Sequence, residues 1–146
     1  MTCDLLLYQF KCETAYTRKS HINCCVFDST WEASEAYELD RERNDSIVDA
    51  WVKNDHLGFE ILYIFGGVVR KYRPDFIVRL KNGNFLILET KGQSTRQDEA
   101  KWVFLDQWIK AVNQHGGFGY WQYDVSRNPA DVRLILEKAA LFRNEK

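Results

Sequence analysis

The chain has 146 residues, of which 45% are hydrophobic and 14% aromatic, and its formal net charge is −1. This length suits one compact domain, and the apolar content can bury a core, so the composition argues against a disordered chain. A charge this close to zero gives no argument for nucleic acid, although a basic patch could still form locally. No apolar run approaches the roughly 20 residues that span a bilayer, and no signal peptide or membrane partner is expected.

The cysteine pattern points to a reduced protein. The four cysteines, Cys3, Cys12, Cys24 and Cys25, form no CxxC pair, and two of them are adjacent. This arrangement suits neither a disulfide framework nor a zinc site. We therefore expect partly buried thiols and a cytoplasmic location.

The first half of the chain is predicted to contain two strands and a long helix. Short apolar runs at residues 5–10 and 22–27 are typical of strands. Ser29-Thr30 offers an N-cap before a segment that mixes polar and apolar residues, which predicts a helix over 31–53. Asn44-Asp45-Ser46 are residues that would break this helix into two.

The middle of the chain is rich in β-strand signals. The predicted elements are a loop at 54–58, a strand at 59–65, a turn at Gly66-Gly67, a β-rich stretch at 68–80 and a strand at 85–91. Asn82-Gly83, between the last two, is a strong hairpin signal. Both strands beside it carry consecutive apolar residues, and strands that are apolar on both faces are usually covered on both faces.

Helices that could cover these faces follow in the last third. Apolar residues recur at helical spacing over 96–114. A strand is predicted over 119–125, and Pro129 suits the first position of a last helix over 130–143. The order of elements predicts an α/β domain, a three-layer α/β/α sandwich around a mixed central sheet.

One polar pattern within the strands indicates chemistry. Pro74-Asp75 is followed, after thirteen residues, by Glu89-Thr90-Lys91. Two carboxylates can hold one or two Mg²⁺ ions, which activate water and neutralise charge on a phosphate. A lysine two residues after the second acid points to the same face, where it can orient the attacking water. The pattern predicts a catalytic metal site on Asp75, Glu89 and Lys91, and ordinary polar strand ends are the alternative.

The hairpin register tests this prediction. With a two-residue loop at Asn82-Gly83, Asp75 would sit opposite Thr90, and the two acids would face apart. With a three-residue loop, Asp75 lies opposite either Glu89 or Lys91 on one face, and such loops with a left-handed glycine are common. A β-bulge would have the same effect. The metal-site hypothesis therefore requires an odd loop or a bulge.

A third carboxylate is available on the first predicted helix. Glu32 shares a helical face with Ala36 and Leu39, so it is a candidate ligand for the metal or for water. An acid that simply stabilises the helix start is the alternative. Glu35 and Glu38 point elsewhere and are expected to be solvated.

Two further polar residues are candidate substrate contacts. Gln93 follows Lys91 by two residues, and Lys101 shares a helical face with Leu105 and Trp108, from which it could meet a phosphate. A solvated surface role is equally consistent with the sequence for both.

Longer strings of residues resemble a known family. In order they are KSHIN at 19–23, TWE at 30–32, VKNDHLGFEI at 52–61, YRPDFIVRL at 72–80, LILETKG at 86–92 and AVNQHGGFG at 111–119. They resemble the C-terminal PD-(D/E)xK nuclease domain of type III restriction enzyme Res-like proteins, which carry a DEAD/DEAH helicase upstream. The resemblance implies one restriction-endonuclease-like domain over 1–146, with 1–18 as a peripheral strand or a linker from the helicase.

The same resemblance implies an activity. It implies Mg²⁺-dependent DNA cleavage, with Mn²⁺ able to substitute, in defence against foreign DNA. Asp75, Glu89 and Lys91 match the family's catalytic positions, and Glu32 matches its helix acid. No Walker A motif, GxxxxGK[ST], occurs in the chain, so an ATP-dependent helicase or translocase would have to come from the parent protein or system.

Two classes of function therefore remain open. The first is a Mg²⁺-dependent endodeoxyribonuclease. The second is a catalytically silent PD-(D/E)xK-fold module for DNA binding or assembly, which the near-neutral charge favours because it predicts weak autonomous DNA binding. A structure-specific DNA repair nuclease differs from the first only in its substrate. Cutting both DNA strands would need two active sites or two visits, so a homodimer is compatible with the chemistry.

Overall fold

The computed structural model describes residues 13–20, 24–27, 29–55 and 57–142. The described strands are β1 (Glu13–Tyr16), β2 (Cys24–Phe27), β3 (Val48–Lys53), β4 (Ile61–Phe65), β5 (Val68–Tyr72), β6 (Phe76–Leu80), β7 (Phe85–Thr90) and β8 (Trp121–Ser126). The described helices are α1 (Thr30–Asp40), α2 (Arg96–His115) and α3 (Val132–Leu141), with short 3-10 turns at Glu42–Asn44 and Pro129–Asp131. The structure is therefore mixed α/β, as predicted.

A four-stranded mixed sheet forms the centre, in the order β3-β6-β7-β8. Strand β6 pairs antiparallel with both β3 and β7, whereas β8 runs parallel to β7. The pairs β1–β2 and β4–β5 form separate two-stranded sheets. The prediction of a mixed central sheet is confirmed.

Helices lie on both faces of this sheet. Leu88 of β7 packs in one hydrophobic cluster with Leu39 of α1 and Leu136 of α3. Its neighbour Ile87 belongs to a second cluster, with Leu105 of α2. Because successive residues of a strand face opposite sides, α1 and α3 lie on one face and α2 on the other. None of the described helices, the 20-residue α2 included, combines the length and the apolar composition needed to cross a bilayer.

The helix predicted over 31–53 is wrong in its second half. The helix begins after the N-cap Ser29 and ends at Asp40, and the segment from Val48 onward is strand β3. Val48 and Trp51 are buried in the core, and β-branched and aromatic residues fit a half-buried pleated surface better than a helix. The predicted break at Asn44-Asp45-Ser46 marks the change from helix to strand.

The β-rich stretch 68–80 also divides. It forms β5 and β6, which belong to different sheets and are separated at Arg73-Pro74-Asp75. Proline has no N–H to donate to a sheet, so a strand is readily interrupted there. The strand predicted at 5–10 lies outside the described residues, and β2 coincides with the described part of the strand predicted at 22–27.

The β6–β7 hairpin has a three-residue loop, Lys81-Asn82-Gly83. The N–H of Leu80 donates to the carbonyl of Asn84 at 2.8 Å, and the N–H of Gly83 donates to the carbonyl of Leu80 at 3.0 Å. Gly83 adopts a φ of 85°, in the left-handed region that favours glycine. The odd loop length required by the metal-site hypothesis is therefore confirmed.

The register of this hairpin places the two acids together. Phe76 lies opposite Leu88, so one further residue along each strand sets Asp75 opposite Glu89. A direct contact agrees with this register, because the N–H of Asp75 donates to Oε1 of Glu89 at 2.9 Å. Loop length thus determines which side chains meet at the end of the sheet.

We expect Gly83→Ala to lower the free energy of unfolding by about 1 kcal/mol, because a Cβ is strained in the left-handed conformation. No other atom lies within 4 Å of the added Cβ, so backbone strain alone is measured. Chemical denaturation gives the change. Gly92→Ala is the control, since Gly92 has no positive φ and its Cβ would meet Trp31 at an ordinary 3.6 Å. If both variants lost the same free energy of unfolding, backbone strain at Gly83 would be contradicted.

Candidate active site

Three carboxylates approach one another where β6 begins and β7 ends. Asp75 directly precedes β6, Glu89 is the penultimate residue of β7, and Glu32 lies in the first turn of α1. Glu89 is only 8% exposed, and the side chain of Glu32 is 15% exposed. The charge of Glu32 acts on Asp75, and that of Asp75 acts on Glu89. The structure therefore groups three of the predicted site residues.

Backbone and hydroxyl donors hold the two opposed acids. Oδ2 of Asp75 accepts hydrogen bonds from the N–H and the hydroxyl of Thr90, both at 2.9 Å. Oε1 of Glu89 accepts from the N–H of Asp75 at 2.9 Å. Each carboxylate thus engages one oxygen in these bonds.

Burial makes this pair of acids hard to ionise. Desolvation by burial, followed by the negative charge of Asp75, raises the pKa of Glu89 to about 8. Burial likewise raises the pKa of Asp75 above its ordinary value, against the hydrogen bonds from Thr90. A bound cation favours the charged form of a carboxylate. A nearby positive charge would therefore make both acids easier to ionise.

Lys53, which the sequence reasoning missed, lies beside this group. Its Nζ is 3.4 Å from Oε2 of Glu32, and its side chain is only 8% exposed. Its register partner across β3 and β6 is Phe76, the neighbour of Asp75, and its positive charge favours the ionised form of Asp75. Lys53 was missed from the sequence because a helix was predicted over 31–53. Only the pairing of β3 with β6 brings Lys53 to the site.

Lys91 and Lys101 meet at the start of α2. Their Nζ atoms lie 3.3 Å and 3.6 Å from the two carboxylate oxygens of Asp98, a buried residue. Asp98 also closes the capping box of α2 with Thr95. The position of Asp98 three residues after Thr95 is the sequence pattern of a capping box. No pattern in the sequence linked Asp98 to Lys91 or Lys101. Lys101 also favours the ionised form of Glu89.

Lys91 contacts Asp98 rather than the three acids, and Gln93 also lies apart from them. Gln93 is exposed beyond the end of β7 and makes no side-chain hydrogen bond within the described ranges. Its role in substrate binding stays a prediction.

Tyr72 is a further buried group at the site. Its ring lies 5.6 Å from Nζ of Lys101, and its hydroxyl faces Glu89 without forming a well-directed hydrogen bond to any described residue. Burial, followed by the charge of Glu89, raises the pKa of Tyr72, so the hydroxyl keeps its proton. The hydroxyl is therefore a neutral donor beside the Glu89 carboxylate.

Glu35 and Glu38 are buried, so the expectation that they are solvated is wrong. Oε1 of Glu35 lies 2.5 Å from the hydroxyl of Ser126, and burial raises the pKa of Glu35 to about 7. Glu38 forms ion pairs with Arg41 and Arg43. Both acids are buried because other elements pack around α1 on several faces. The apolar residues of α1 alone predict that only one face is covered.

The chemistry of the donors suits a divalent cation, although the side chains are not yet arranged around one. Among the described residues, no three side chains of His, Cys, Asp or Glu surround a common point. The cause is visible in the contacts, since Asp75 and Glu89 bind N–H groups and Glu32 pairs with Lys53. Buried carboxylate oxygens are nevertheless the ligands that Mg²⁺ prefers.

Comparison with known proteins assigns no family to this chain. No family, no curated protein and no solved structure matches the chain. The class of site is therefore defined by its own geometry, which is an acid cluster at the ends of buried strands with lysines on either side.

Proposed function

We propose that this protein is a Mg²⁺-dependent endodeoxyribonuclease with a three-layer, restriction-endonuclease-like fold. The observation that carries the proposal is the β6–β7 register, which sets Asp75 opposite Glu89 with Lys91 two residues further on. Asp75 and Glu89 would hold Mg²⁺ or Mn²⁺, and Glu32 would contribute a further ligand or position water. When bound, the ion lowers the pKa of water and offsets charge on the phosphate.

The residues of the chain would then act on water and phosphate. A water oxygen would form a bond to phosphorus and lose one proton while the bond to one sugar oxygen breaks, and that sugar oxygen takes up a proton in exchange. Lys91 directly follows β7, and two residues after Glu89 it points to the same side of the strand, where its ammonium group would orient the water and stabilise the negative charge of the transition state. No covalent intermediate with the enzyme is needed.

Cations around the end of the sheet support an anionic substrate. Lys91 and Lys101 meet at the start of α2, where Arg96 is exposed. Arg127 follows β8, and its guanidinium lies 5.2 Å from the ring centre of Trp102. The net charge of −1 does not reveal this local arrangement. Such side chains bind the phosphates of DNA through salt-dependent contacts.

The sequence resemblance supports a place in a type III-like restriction system. In this proposal a helicase or translocase, in the parent protein or as a partner, uses ATP to control when cutting occurs. The nuclease would act in the cytoplasm, alone or as a homodimer that brings two active sites to the two DNA strands.

Incubation with supercoiled plasmid and linear DNA tests the activity. We expect nicking or linearisation with Mg²⁺ or Mn²⁺ and none with EDTA, because the acids require the ion to activate water. Cleavage that persists in EDTA would contradict the metal-dependent mechanism. Salt-dependent DNA binding without cleavage in either metal, with and without an ATP-dependent helicase, would instead support the catalytically silent module.

A further inference from the structure

We propose that the β4–β5 hairpin is a DNA-binding ribbon that enters the major groove of the duplex beside the cleavage site. The proposal rests on the nuclease function proposed above, and it adds a contact with duplex DNA away from the reacting phosphate. The hairpin is a separate two-stranded sheet, in which the two strands pair along their whole length on either side of Gly66-Gly67.

One face of this ribbon is held by the rest of the protein. Ile61, Tyr63 and Tyr72 are buried in one hydrophobic cluster with residues of α2. The hydroxyl of Tyr63 also accepts a hydrogen bond from Nε2 of Gln97, in the first turn of α2, at 2.7 Å. The ribbon is therefore fixed on α2 through this face, and its other face points away from the protein.

The outer face of the ribbon is exposed and apolar near the turn. Successive residues of a strand alternate between faces, and residues paired across two strands share a face. The outer face therefore carries Leu62 opposite Lys71 and Ile64 opposite Val69. Leu62, Ile64 and Val69 are 58%, 52% and 63% exposed. Adjacent apolar side chains in contact with solvent are typical of an interaction site.

Positive charge accompanies the outer face. Residues 59–73 contain three bases, Arg70, Lys71 and Arg73, and one acid, Glu60. Glu60 pairs with Lys71 at 3.5 Å and with Arg73 at 2.8 Å, at the base of the ribbon. Arg70 is exposed and forms no ion pair within the described part of the chain. At the neighbouring start of α2, three bases outnumber two acids: Lys91, Arg96 and Lys101 against Asp98 and Glu99.

This combination of charge and apolar surface complements duplex DNA. Phosphates attract the bases of the ribbon, and the methyl groups of thymine present apolar surface in the major groove. That groove is about 12 Å wide and admits a two-stranded β-ribbon. A ribbon with one face on the protein and the other exposed can insert its exposed face toward the base pairs.

The position of the ribbon relates it to the acids. Strand β5 ends at Tyr72, beside Lys101, and Asp75 follows three residues later. Val68, at the other end of β5, is four residues before Tyr72, which corresponds to about 13 Å along a strand. The same distance covers roughly four base-pair steps of DNA. We therefore expect the ribbon to contact bases within about four pairs of the cut.

A second copy of the chain is a less favourable occupant of the outer face. In a two-fold dimer this face would contact itself, so that Arg70 and Lys71 would approach the same cations of the other copy. The outer face also offers only a few side chains, whereas a standard protein interface uses roughly 20–30 residues on each side.

Fluorescence anisotropy with a labelled DNA duplex in EDTA tests the ribbon without cleavage. We expect Ile64→Ser/Val69→Ser to weaken binding by roughly tenfold, because the apolar contact with the groove is lost. Replacing every thymine of the duplex by uracil should weaken binding of the unmodified protein by roughly threefold to tenfold, and should not affect the double variant. Lys71→Met should reduce the slope of log affinity against log salt concentration by about 1.

Leu134→Ser is the matched control, because Leu134 is 67% exposed on α3, on the opposite face of the central sheet from α2. It should leave DNA binding unchanged. Unchanged affinity in the folded double variant, or equal affinity of the unmodified protein for the thymine and uracil duplexes, would overturn the ribbon proposal. Plasmid cleavage with Mg²⁺ in the same preparations would then leave the nuclease proposal standing.

Two further outcomes complete the test. A dimer of the unmodified protein that the double variant dissociates, without a change in DNA affinity, would overturn the proposal in favour of a second copy. If the double variant fails to fold, the uracil comparison and the salt slope of Lys71→Met decide. If the unmodified protein neither binds nor cleaves duplex DNA, both proposals fail.

Discussion

Asp75→Asn and Glu89→Gln are each expected to reduce Mg²⁺-dependent DNA cleavage by roughly 10³-fold. An amide oxygen carries no net charge, so it binds Mg²⁺ far more weakly than a carboxylate. In the Asp75→Asn variant the amide oxygen can still accept the two hydrogen bonds from Thr90, so the hairpin should keep its register. Initial rates of plasmid nicking, with thermal melting as a check on folding, measure the effect.

The double variant Asp75→Asn/Glu89→Gln sharpens this test. Both acids are proposed to serve one ion, so the double variant should be little slower than either single variant. Asp106→Asn is the control, because Asp106 pairs with Lys110 on the surface of α2, at 2.6 Å. It should cleave at the unmodified rate. Full activity in both single variants would exclude this acid pair as the active site.

Lys91→Met is expected to reduce cleavage without changing metal binding. We expect a loss of about 10²-fold to 10³-fold in cleavage, because an ammonium group that stabilises the transition state is removed. The number of bound Mn²⁺ ions should not change, since Lys91 is not a ligand. A change in that number would contradict the role assigned to Lys91.

The metal-free protein is expected to lose a few kcal/mol of stability as the pH rises from about 5 to about 8, and Glu89→Gln should remove much of this loss. The pKa of Glu89 is raised from an ordinary 4.5 to about 8 in the folded protein. The contribution of this residue to stability is therefore complete below the ordinary pKa and decreases as the pH approaches 8. Thermal melting in EDTA between pH 5 and pH 9 measures it.

Glu35 contributes to the same pH range and provides the comparison. Its pKa is raised to about 7, mainly by burial. Glu35→Gln should therefore also flatten the profile, with its effect complete nearer pH 7. Added Mg²⁺ should restore stability at alkaline pH in the unmodified protein and in Glu35→Gln, but much less in Glu89→Gln. Identical pH profiles for Glu89→Gln and the unmodified protein would contradict the buried acid pair.

The hairpin that carries the site was predictable because its signals are local. Asn82-Gly83 marks the turn, and the apolar runs on either side mark the strands. The acids could then be required to share a face, and the observed register satisfies that requirement. Whether the loop holds two or three residues depends on pairing and strand packing, so the sequence left both lengths open.

The positions of Lys53 and Glu35 could not be predicted from local signals. Lys53 reaches the acids only because β3 pairs with β6, a contact between segments more than 20 residues apart. Glu35 is buried because Ser126 and the turn after β8 cover it, and these are distant in the chain. Local patterns report what a helix or strand could bury, and tertiary packing determines what it does bury.

The number of residues in the β6–β7 loop determines whether Asp75 and Glu89 point to the same side of the sheet. Removing one residue from Lys81-Asn82-Gly83 would shift one strand by a single step, so that the two acids point to opposite sides. Adding or removing two residues would preserve their phase. A deletion of one codon here would thus separate Asp75 and Glu89 while leaving both residues in the sequence, and the proposed nuclease activity should be lost.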